Sequence, residues 1–238
     1  MVRQLMRWEL DGVRGPIVVV DVLRAFTTAA YAFGAGAKVI YLVASVDEAL
    51  EFKHRHTGAL AMGEEHGRRP RGFDFPNSPV AVSRSDLTDR TIVQRTSAGT
   101  QGVIAATHAD RLWAASLACA SATAAAVTTA QIGDPSYVIT GCFADSPDTT
   151  GDDDRLTADL IERVRLGHDR EVARTVAALL STNEARRTLA LDAEHSDPLD
   201  VEYASQVDVF DFAMEAVRDE RGVRLERRPG APAVTGGA

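Results

Sequence analysis

Residues 16–63 alternate short apolar runs with longer segments of helical composition, and this alternation constrains the fold more than any other feature. The short runs are rich in β-branched residues and predict strands, while the Ala-rich and amphipathic segments between them predict helices. The predicted strands are 16–22, 38–43 and 59–63, and the predicted helices are 24–37 and 45–56. A strand–helix–strand order of this kind implies a parallel sheet with right-handed crossovers.

The same order returns in residues 91–141, so the chain repeats its own plan. The second set comprises strands at 91–96, 111–116 and 136–141 and helices at 98–107 and 118–131. In both copies the first strand runs into a Thr/Ser-rich turn that opens a helix. We predict an α/β fold with a layered, mostly parallel sheet, helices on both faces and two βαβαβ-like halves, whose helix N-termini face a common crevice. An ordinary α/β sheet with coincidental turns stays open.

Beyond Ser146 the sequence predicts a mostly helical C-terminal part, followed by two short late strands at VDVF (207–210) and GVRLERR (222–228). We predict one domain over residues 1–228. The last segment, 229–238, has the composition of a disordered tail.

The charge of the chain excludes some partners. A net charge of -8 and a pI near 5.3 argue against nucleic acid or an anionic membrane, because both need a basic face. A small anionic substrate needs only a few local cations, and several arginines lie near the predicted strand ends. The sequence has no signal peptide and no apolar run near the about 18 residues of a membrane span, so we expect a cytoplasmic protein. Whether it forms a homo-oligomer stays open.

The turn after the first strand combines a carboxylate with a cation. Asp21 ends the strand, and Arg24, Thr27 and Thr28 follow it. A carboxylate there could bind Mg²⁺ or attack phosphorus, while the arginine and the helix-opening amides hold phosphate oxygens. The spacing resembles the nucleophile motif of haloacid-dehalogenase phosphatases, but Leu23 stands where that motif has a second aspartate. A simple helix cap at Asp21 is the alternative.

A polar loop over residues 63–79 and a turn over residues 95–100 lie at the other strand ends. The loop carries oxygen ligands suited to a hard cation, although a solvated surface loop is the alternative. The turn supplies hydroxyls and a glycine that lets backbone amides approach an anion, although ordinary helix capping is the alternative. The polar residues concerned are Glu64, Glu65, Asp74, Asn77 and Ser78 in the loop and Arg95, Thr96, Ser97, Gly99 and Thr100 in the turn.

Several segments resemble, in order, those of the 2-phosphosulfolactate phosphatase family. They are DVLRAFTT (21–28), GEEHGRRPRGFDFPNSP (63–79), TSAGT (96–100), SLACASATA (116–124) and, more loosely, GDDDR (151–155). The GFD-x-x-NSP signature is the most specific, and the resemblance covers about residues 16–165. It implies Mg²⁺-dependent hydrolysis of 2-phosphosulfolactate to sulfolactate and phosphate, on the route to coenzyme M.

Two missing asparagines and one altered acidic run depart from the family pattern and bear on activity. Ala98 and Cys119 stand where the family usually has asparagine, and three aspartates at 152–154 replace a Glu-Asp pair. The missing amides leave open a phosphatase for another small phosphorylated acid, or an anion-binding homologue with little or no activity.

The leading hypothesis is therefore a Mg²⁺-dependent phosphatase for a small anionic phosphate ester. It assigns catalytic roles to Asp21, Arg24 and Asp74, and metal binding to Asp21, Glu64 and Glu65. It assigns substrate contacts to Thr27, Asn77, Ser78, Arg95, Thr96, Ser97, Gly99 and Thr100. The sequence leaves open whether Asp21 forms a phosphoenzyme or positions water.

Overall fold

A computed structural model of the chain describes residues 3–230, and its central layer is a ten-stranded sheet. The strands are β1 (Arg3–Met6), β2 (Pro16–Val20), β3 (Val39–Leu42), β4 (Leu60–Gly63), β5 (Phe75–Pro76), β6 (Thr91–Arg95), β7 (Arg111–Ala115), β8 (Ser136–Ile139), β9 (Cys142–Phe143), β10 (Ser146–Thr150), β11 (Phe212–Asp219) and β12 (Gly222–Pro229). The helices are α1 (Ala25–Gly34), α2 (Val46–Arg55), α3 (Pro79–Ser83), α4 (Gly99–Ala105), α5 (Ala120–Ala130), α6 (Asp152–Arg165), α7 (Val172–Leu180), α8 (Asn183–Leu189) and α9 (Asp200–Ser205). The predicted α/β class and the helical C-terminal part are confirmed.

The large sheet consists of two parallel blocks joined by an antiparallel hairpin. Its order is β1-β8-β2-β7-β11-β12-β3-β6-β4-β5, while β9 and β10 form a separate two-stranded sheet. β11 pairs with β7 through Met214 and Ala114, and β12 pairs with β3 through Val223 and Leu42. The hairpin is therefore the link that makes one sheet out of the two blocks.

The internal repeat is present, but its first strands are exchanged. β2, the first strand of the first copy, lies between β8 and β7 of the second copy. β6, the first strand of the second copy, lies between β3 and β4 of the first. In each group of three neighbouring strands, β8-β2-β7 and β3-β6-β4, the first strand of one copy therefore lies between the second and third strands of the other copy. Three successive antiparallel pairings, β7–β11, β11–β12 and β12–β3, make the two blocks run in opposite directions. The turns after β2 and β6 nevertheless meet in space, since Gly99 lies against Asp21 and Ala25.

Helices cover both faces of the sheet, and β2 shows why its sequence is continuously apolar. Ile17 and Val19 pack into a core with α1 and α4, whereas Val18 and Val20 pack into a second core with α5 and α6. Successive strand residues point to opposite faces, so a strand buried on both sides needs apolar residues throughout. A third, smaller core lies beneath α2.

The late strands differ from the prediction in one case. β12 lies where GVRLERR predicts a strand, but VDVF (207–210) is not a strand, because β11 begins at Phe212. Asp208 has a positive φ of 55° and accepts hydrogen bonds from the N–H and hydroxyl of Ser121 in the first turn of α5, so this segment caps a helix. The predicted tail overlaps the end of β12, and its residues 231–238 lie outside the described residues. The single-domain assignment stays a prediction.

Within residues 3–230, none of the helices has the length and apolar character needed to cross a membrane.

Candidate active site

A cavity of about 330 Å³ opens at the carboxyl ends of the parallel strands. Asp21 follows β2, Glu64 follows β4 and Ser97 lies just beyond β6, and all three line the cavity. Gly141, which follows β8, and Asn77, which follows β5, line it as well. Open α/β sheets bind their ligands at the carboxyl ends of their strands. Here residues that follow five strands, from both blocks of the sheet, line one cavity.

The charged groups around the cavity are mostly acidic. Five carboxylates line it, against two guanidinium groups and one imidazole. They are Asp21, Glu64, Asp153, Asp154 and Glu184 on the acidic side and Arg24, Arg187 and His66 on the basic side. An anion can bind here only if the repulsion of the carboxylates is neutralised.

Asp21 is almost fully buried, and its carboxylate is held on both sides. Its Oδ1 accepts a hydrogen bond from the backbone N–H of Ala25 at 2.8 Å, and its Oδ2 accepts from Thr140 Oγ1 at 3.3 Å. Burial raises the pKa of Asp21 from 3.8 to about 6, and the charge of Glu64 also raises it. A group with this pKa is ionised at neutral pH but gains strongly from a nearby cation.

Asp153 and Asp154 lie in the first turn of α6 and face the turn after β2. Asp154 accepts hydrogen bonds from the backbone N–H of Val22 at 3.0 Å and from that of Gly141 at 2.9 Å. Asp153 Oδ2 accepts from the backbone N–H of Leu23 at 3.2 Å. These bonds fix two more carboxylates beside Asp21.

Asp21, Asp153 and Asp154 together form what we call the acidic wall. Burial, and then the charge of Asp21, raise the pKa of Asp154 to about 8. Burial and the charge of Asp154 hold the pKa of Asp153 well above 3.8, and the charge of Glu184 contributes further. The wall therefore holds more negative charge than its own hydrogen bonds can compensate.

Three buried side-chain oxygens at the cavity have no hydrogen-bond partner within the described residues. They are Asp153 Oδ1, Glu184 Oε2 and Asn77 Oδ1, and all three belong to cavity-lining residues. Buried polar atoms are normally satisfied, so unpartnered acceptors around one cavity indicate a missing donor or cation. No three His, Cys, Asp or Glu side chains in residues 3–230 are arranged to hold a metal ion by themselves.

Glu64 also lines the cavity, but its carboxylate has a different environment. Its Oε1 accepts from the backbone N–H of Ser97 at 2.5 Å. Its Oε2 accepts from the backbone N–H of Gly67 at 2.6 Å and from the hydroxyl of Ser97 at 3.1 Å. We call Glu64, Gly67 and Ser97 the Glu64 wall. The carboxylate of Glu64 is satisfied by the chain itself and joins the polar loop to the turn after β6.

The two repeated turns touch at Gly99. A Cβ at this position would lie 2.7 Å from Asp21 Oδ2 and 2.8 Å from the Cβ of Ala25. Only glycine lets the start of α4 approach the acidic wall this closely. Ala98, one of the two positions without the family's usual asparagine, lines the cavity, whereas Cys119 is fully buried in the core, where burial raises the pKa of its thiol.

Arg24 lines the cavity and forms a buried ion pair behind it. Its Nη1 donates to Asp200 Oδ2 at 2.8 Å and to the carbonyl of His195 at 3.1 Å. Arg187, on α8, also lines the cavity and has no carboxylate partner among the described residues.

The other predicted residues lie beside the cavity rather than in its lining, as far as residues 3–230 describe it. Asp74 pairs with Lys53 at 2.7 Å and accepts from the N–H of Ala61, so it joins the polar loop to α2 and β4. Glu65 is exposed and pairs with Arg95 at 3.1 Å.

The hydroxyls outside the lining have local partners. Thr27 donates to the carbonyl of Val22, and the side chains of Thr96 and Thr100 cap the start of α4. Ser78 caps α3 and donates to Asp200. These contacts support the turns of the site, and substrate contacts for these residues stay predictions.

Sequence reasoning gave no site role to three carboxylates and one arginine of the cavity, namely Asp153, Asp154, Glu184 and Arg187. The acidic run at 151–155 is a signal for the first two, since it opens a helix and matches the family loosely. Glu184 and Arg187 are one turn apart on α8, and nothing in their local sequence distinguishes them from an exposed helix face.

The chain is similar to a set of phosphatases over nearly its whole length. The profile of the family described as 2-phosphosulpholactate phosphatase matches residues 6–219. A probable 2-phosphosulfolactate phosphatase from Bacillus subtilis is 30% identical over 211 residues, which cover 88% of this chain and 90% of that protein. Proteins with the same description come from Thermoplasma acidophilum (27% identity; 92% of this chain and 91% of that protein) and Carboxydothermus hydrogenoformans (43%; 45% and 44%).

The match extends beyond the segments on which the resemblance rests. It includes α6 and α8, which carry the cavity residues that sequence reasoning missed. The chain belongs to the 2-phosphosulfolactate phosphatase family.

Proposed function

We propose that this protein is a Mg²⁺-dependent phosphatase that hydrolyses 2-phosphosulfolactate to sulfolactate and inorganic phosphate. The observation that carries the proposal is the acidic wall, which lies at the cavity beside Arg24 in a chain of this family. Phosphate monoester hydrolysis depends above all on neutralising charge around the phosphoryl group. We also propose a cytoplasmic enzyme on the route to coenzyme M, in keeping with the family resemblance.

The acidic wall suits a hard divalent cation. Mg²⁺ usually keeps several waters and binds one or two carboxylates together with substrate phosphate, so it does not need three carboxylates gathered in advance. Asp21 and Asp153 would hold it, since both have raised pKa values and Asp153 Oδ1 lacks a partner within the described residues. When bound, the ion would neutralise charge on the phosphate oxygens. The carboxylate of Glu64 is already satisfied by the chain, and Glu65 is exposed.

The chain's own residues have separate tasks in this proposal. Arg24 binds a phosphate oxygen with the guanidinium nitrogens that Asp200 and His195 leave free. Asn77 holds substrate or water through its unpartnered Oδ1 or its amide. Asp21 either attacks phosphorus or orients the attacking water, and mass spectrometry of a rapidly quenched reaction distinguishes the two by the presence or absence of a phosphoryl adduct.

Arg187 supports a substrate with a second acid group. Its guanidinium lines the cavity without a carboxylate partner in the part of the chain described here, and the same helix carries Glu184. 2-Phosphosulfolactate has a carboxylate and a sulfonate besides its phosphate, so it needs a cation beyond those at the phosphoryl group. We assign that contact to Arg187.

The test is phosphate release from 2-phosphosulfolactate and from a panel of small phosphate esters, with Mg²⁺ and with EDTA. We expect metal-dependent turnover that prefers the sulfolactate ester. The Asp21→Asn variant is the control, since it keeps the shape of the side chain but removes its charge. Turnover that is the same with EDTA, or the same in Asp21→Asn, contradicts the proposal.

Ala98 favours a second candidate function, because it lines the cavity where the family usually has an amide. In that case the chain binds the anion but turns it over slowly, or acts on another small phosphorylated acid. Thermal shifts with sulfolactate, phosphate and Mg²⁺ separate these outcomes: a binding protein gains stability from the ligands but releases no phosphate from any ester.

A further inference from the structure

We propose that Asp200 is a positioning residue for the reaction: it fixes the Arg24 guanidinium so that the free side of the group faces the phosphate. This inference rests on the proposed function. Asp200 lies on α9 and Arg24 precedes α1, so the two residues are 176 positions apart in the chain. Their side chains are 0% and 3% exposed, and the Nη1–Oδ2 distance is 2.8 Å.

Asp200 is held from several directions. Its Oδ2 accepts hydrogen bonds from Arg24 Nη1, from Ser196 Oγ at 2.9 Å and from the backbone N–H of Asp197 at 3.0 Å. Its Oδ1 accepts from Ser78 Oγ at 2.6 Å. A carboxylate with this many donors has one orientation, and it transmits that orientation to the arginine that it binds.

The ion pair leaves part of the guanidinium available. Within the described residues the hydrogen bonds of Arg24 are made by Nη1 alone, to Asp200 and to the carbonyl of His195. Arg24 lines the cavity, whereas Asp200 lies behind it. A guanidinium is a planar fork that binds two oxygens of one anion, so anchoring one arm orients the other arm toward the cavity.

Stability alone gives a weak reason for this pair. Removing two charges from water is costly, and buried ion pairs are often no more stabilising than apolar residues of similar size. An arginine side chain also loses rotamer entropy when it is fixed. Fixing Arg24 before substrate arrives removes that cost from phosphate binding, which is the gain that the pair provides.

The same carboxylate connects the site to the C-terminal helices. Ser78 follows the cavity residue Asn77 directly, and Ser196 and Asp197 lie just before α9. Through Asp200 these segments share one anchor with the turn after β2. The C-terminal part therefore positions the phosphate-binding arginine from a distance.

A double-mutant cycle tests the inference. Asp200→Asn, Arg24→Lys and the double variant are compared with the unchanged chain by kcat and KM for 2-phosphosulfolactate. We expect Asp200→Asn to lower kcat/KM by about 10- to 100-fold when Arg24 is present and by less than about 3-fold in the Arg24→Lys background, because its effect passes through the arginine. Equal losses in both backgrounds indicate a general structural role and overturn the inference.

Two further variants keep the test decisive. Glu215→Gln is the matched control: Glu215 is a largely buried carboxylate that pairs with Arg111 at 2.5 Å and Arg228 at 2.6 Å on the hairpin, away from the cavity. It should lower the melting temperature and leave kcat/KM unchanged.

If Asp200→Asn does not fold, the Ser196→Ala substitution replaces it, because it removes one hydrogen-bond donor to Asp200 and leaves the charges of Asp200 and Arg24 in place. With the Ser196→Ala substitution we expect about a 3-fold loss of kcat/KM that disappears in the Arg24→Lys background.

The inference and the proposed function can fail separately. If the unchanged chain releases no phosphate from any ester, the proposed function is wrong. The double-mutant cycle is then measured as the affinity for inorganic phosphate, by calorimetry with Mg²⁺ present. Affinity losses that depend on Arg24 support the positioning role. Losses that are the same with and without Arg24, or an affinity that Asp200→Asn leaves unchanged, overturn it.

Discussion

The acidic wall and the Glu64 wall line the same cavity, yet their carboxylates differ in how far hydrogen bonds from the chain satisfy them. Glu64 receives its hydrogen bonds from Ser97 and Gly67, so the chain itself satisfies it. In the acidic wall, burial raises all three pKa values, and repulsion within the wall adds to this at Asp153 and Asp154. Asp153 Oδ1 also has no partner within the described residues. The Glu64 wall is complete without a ligand, whereas the acidic wall is where we propose that a cation binds.

This difference indicates which of the two walls would gain free energy when a cation binds. A satisfied carboxylate gains little from a cation, because it would have to exchange hydrogen bonds for the new contact. A carboxylate held against its neighbours gains the full relief of that repulsion when a cation binds. The acidic wall is therefore the side on which charge can be changed with the largest functional effect.

The largest expected effect comes from exchanging a charge for an amide on each wall. Asp21→Asn should lower kcat by about 10³-fold or more, and in EDTA at pH 8 it should raise the melting temperature because it removes repulsion. Glu64→Gln should lower the melting temperature, since its new NH₂ group would face donors, at a cost of about 1–3 kcal/mol. Scanning calorimetry and phosphate release measure both; melting temperatures that shift in the same direction would remove the distinction between the walls.

A smaller loss is expected when the two repeated turns are pushed apart. In Gly99→Ala the new methyl would lie 2.7 Å from Asp21 Oδ2, so the acidic wall must shift. A displacement near 1 Å can slow a reaction about 100-fold, and we expect kcat to fall by about 10- to 100-fold, with KM less affected. Gly34→Ala is the control, because its methyl would crowd Phe210. That variant should lose stability and keep its kcat; a normal kcat in Gly99→Ala contradicts the close contact.

Removing the guanidinium of Arg187 on α8 should affect the preference for substrates rather than the rate of the chemical step. For Arg187→Ala we expect KM for 2-phosphosulfolactate to rise by about 10-fold, which corresponds to about 1.4 kcal/mol, with kcat little changed. KM for a phosphate ester that lacks a second acid group should stay the same. Arg186→Ala is the matched control, since Arg186 is the neighbouring exposed arginine and bonds to Ser181 and Asn183 instead. Equal changes for both esters would argue against a contact with the second acid group.

The smallest effect concerns stability and pH in the metal-free protein. The folded chain keeps protons on Asp21 and Asp154 that the unfolded chain loses above their ordinary pKa of 3.8. The free energy of unfolding should therefore fall as pH rises from 3.8 toward about 8, and Mg²⁺ should flatten this slope by binding the ionised folded state. Melting curves at pH 5 and pH 8, with EDTA and with Mg²⁺, measure it. A slope that Mg²⁺ does not change would place the ion elsewhere.

The sequence predicts the part of the site that follows strands directly. Asp21, Glu64 and Ser97 each come within two residues of the end of a buried strand, and α/β sheets bind their ligands at the carboxyl ends of their strands. Asp153 and Glu184 are different, because their helices could pack in several ways. Their position depends on contacts between distant segments, such as the hydrogen bond from the N–H of Gly151 to Glu184 Oε1.

The strand order shows the same limit. The repeat is visible in the sequence, but two copies that fold side by side and two copies that exchange their first strands have the same local pattern. The two arrangements differ in the strands that pair with β2 and β6. That pairing joins residues far apart in the sequence, such as Val18 with Trp113 and Ile40 with Ile92. Local periodicity does not contain this information.

The hairpin that joins the two blocks also bears on when the protein can become active. β11 and β12 are synthesised after every other strand of the sheet, and the exchanged first strands already require both copies to be present. Until β11 and β12 have been synthesised, the cavity therefore lacks the connection that holds its two sides in register. During that time the nascent chain exposes two unpaired strand edges, β7 and β3, which the hairpin later covers.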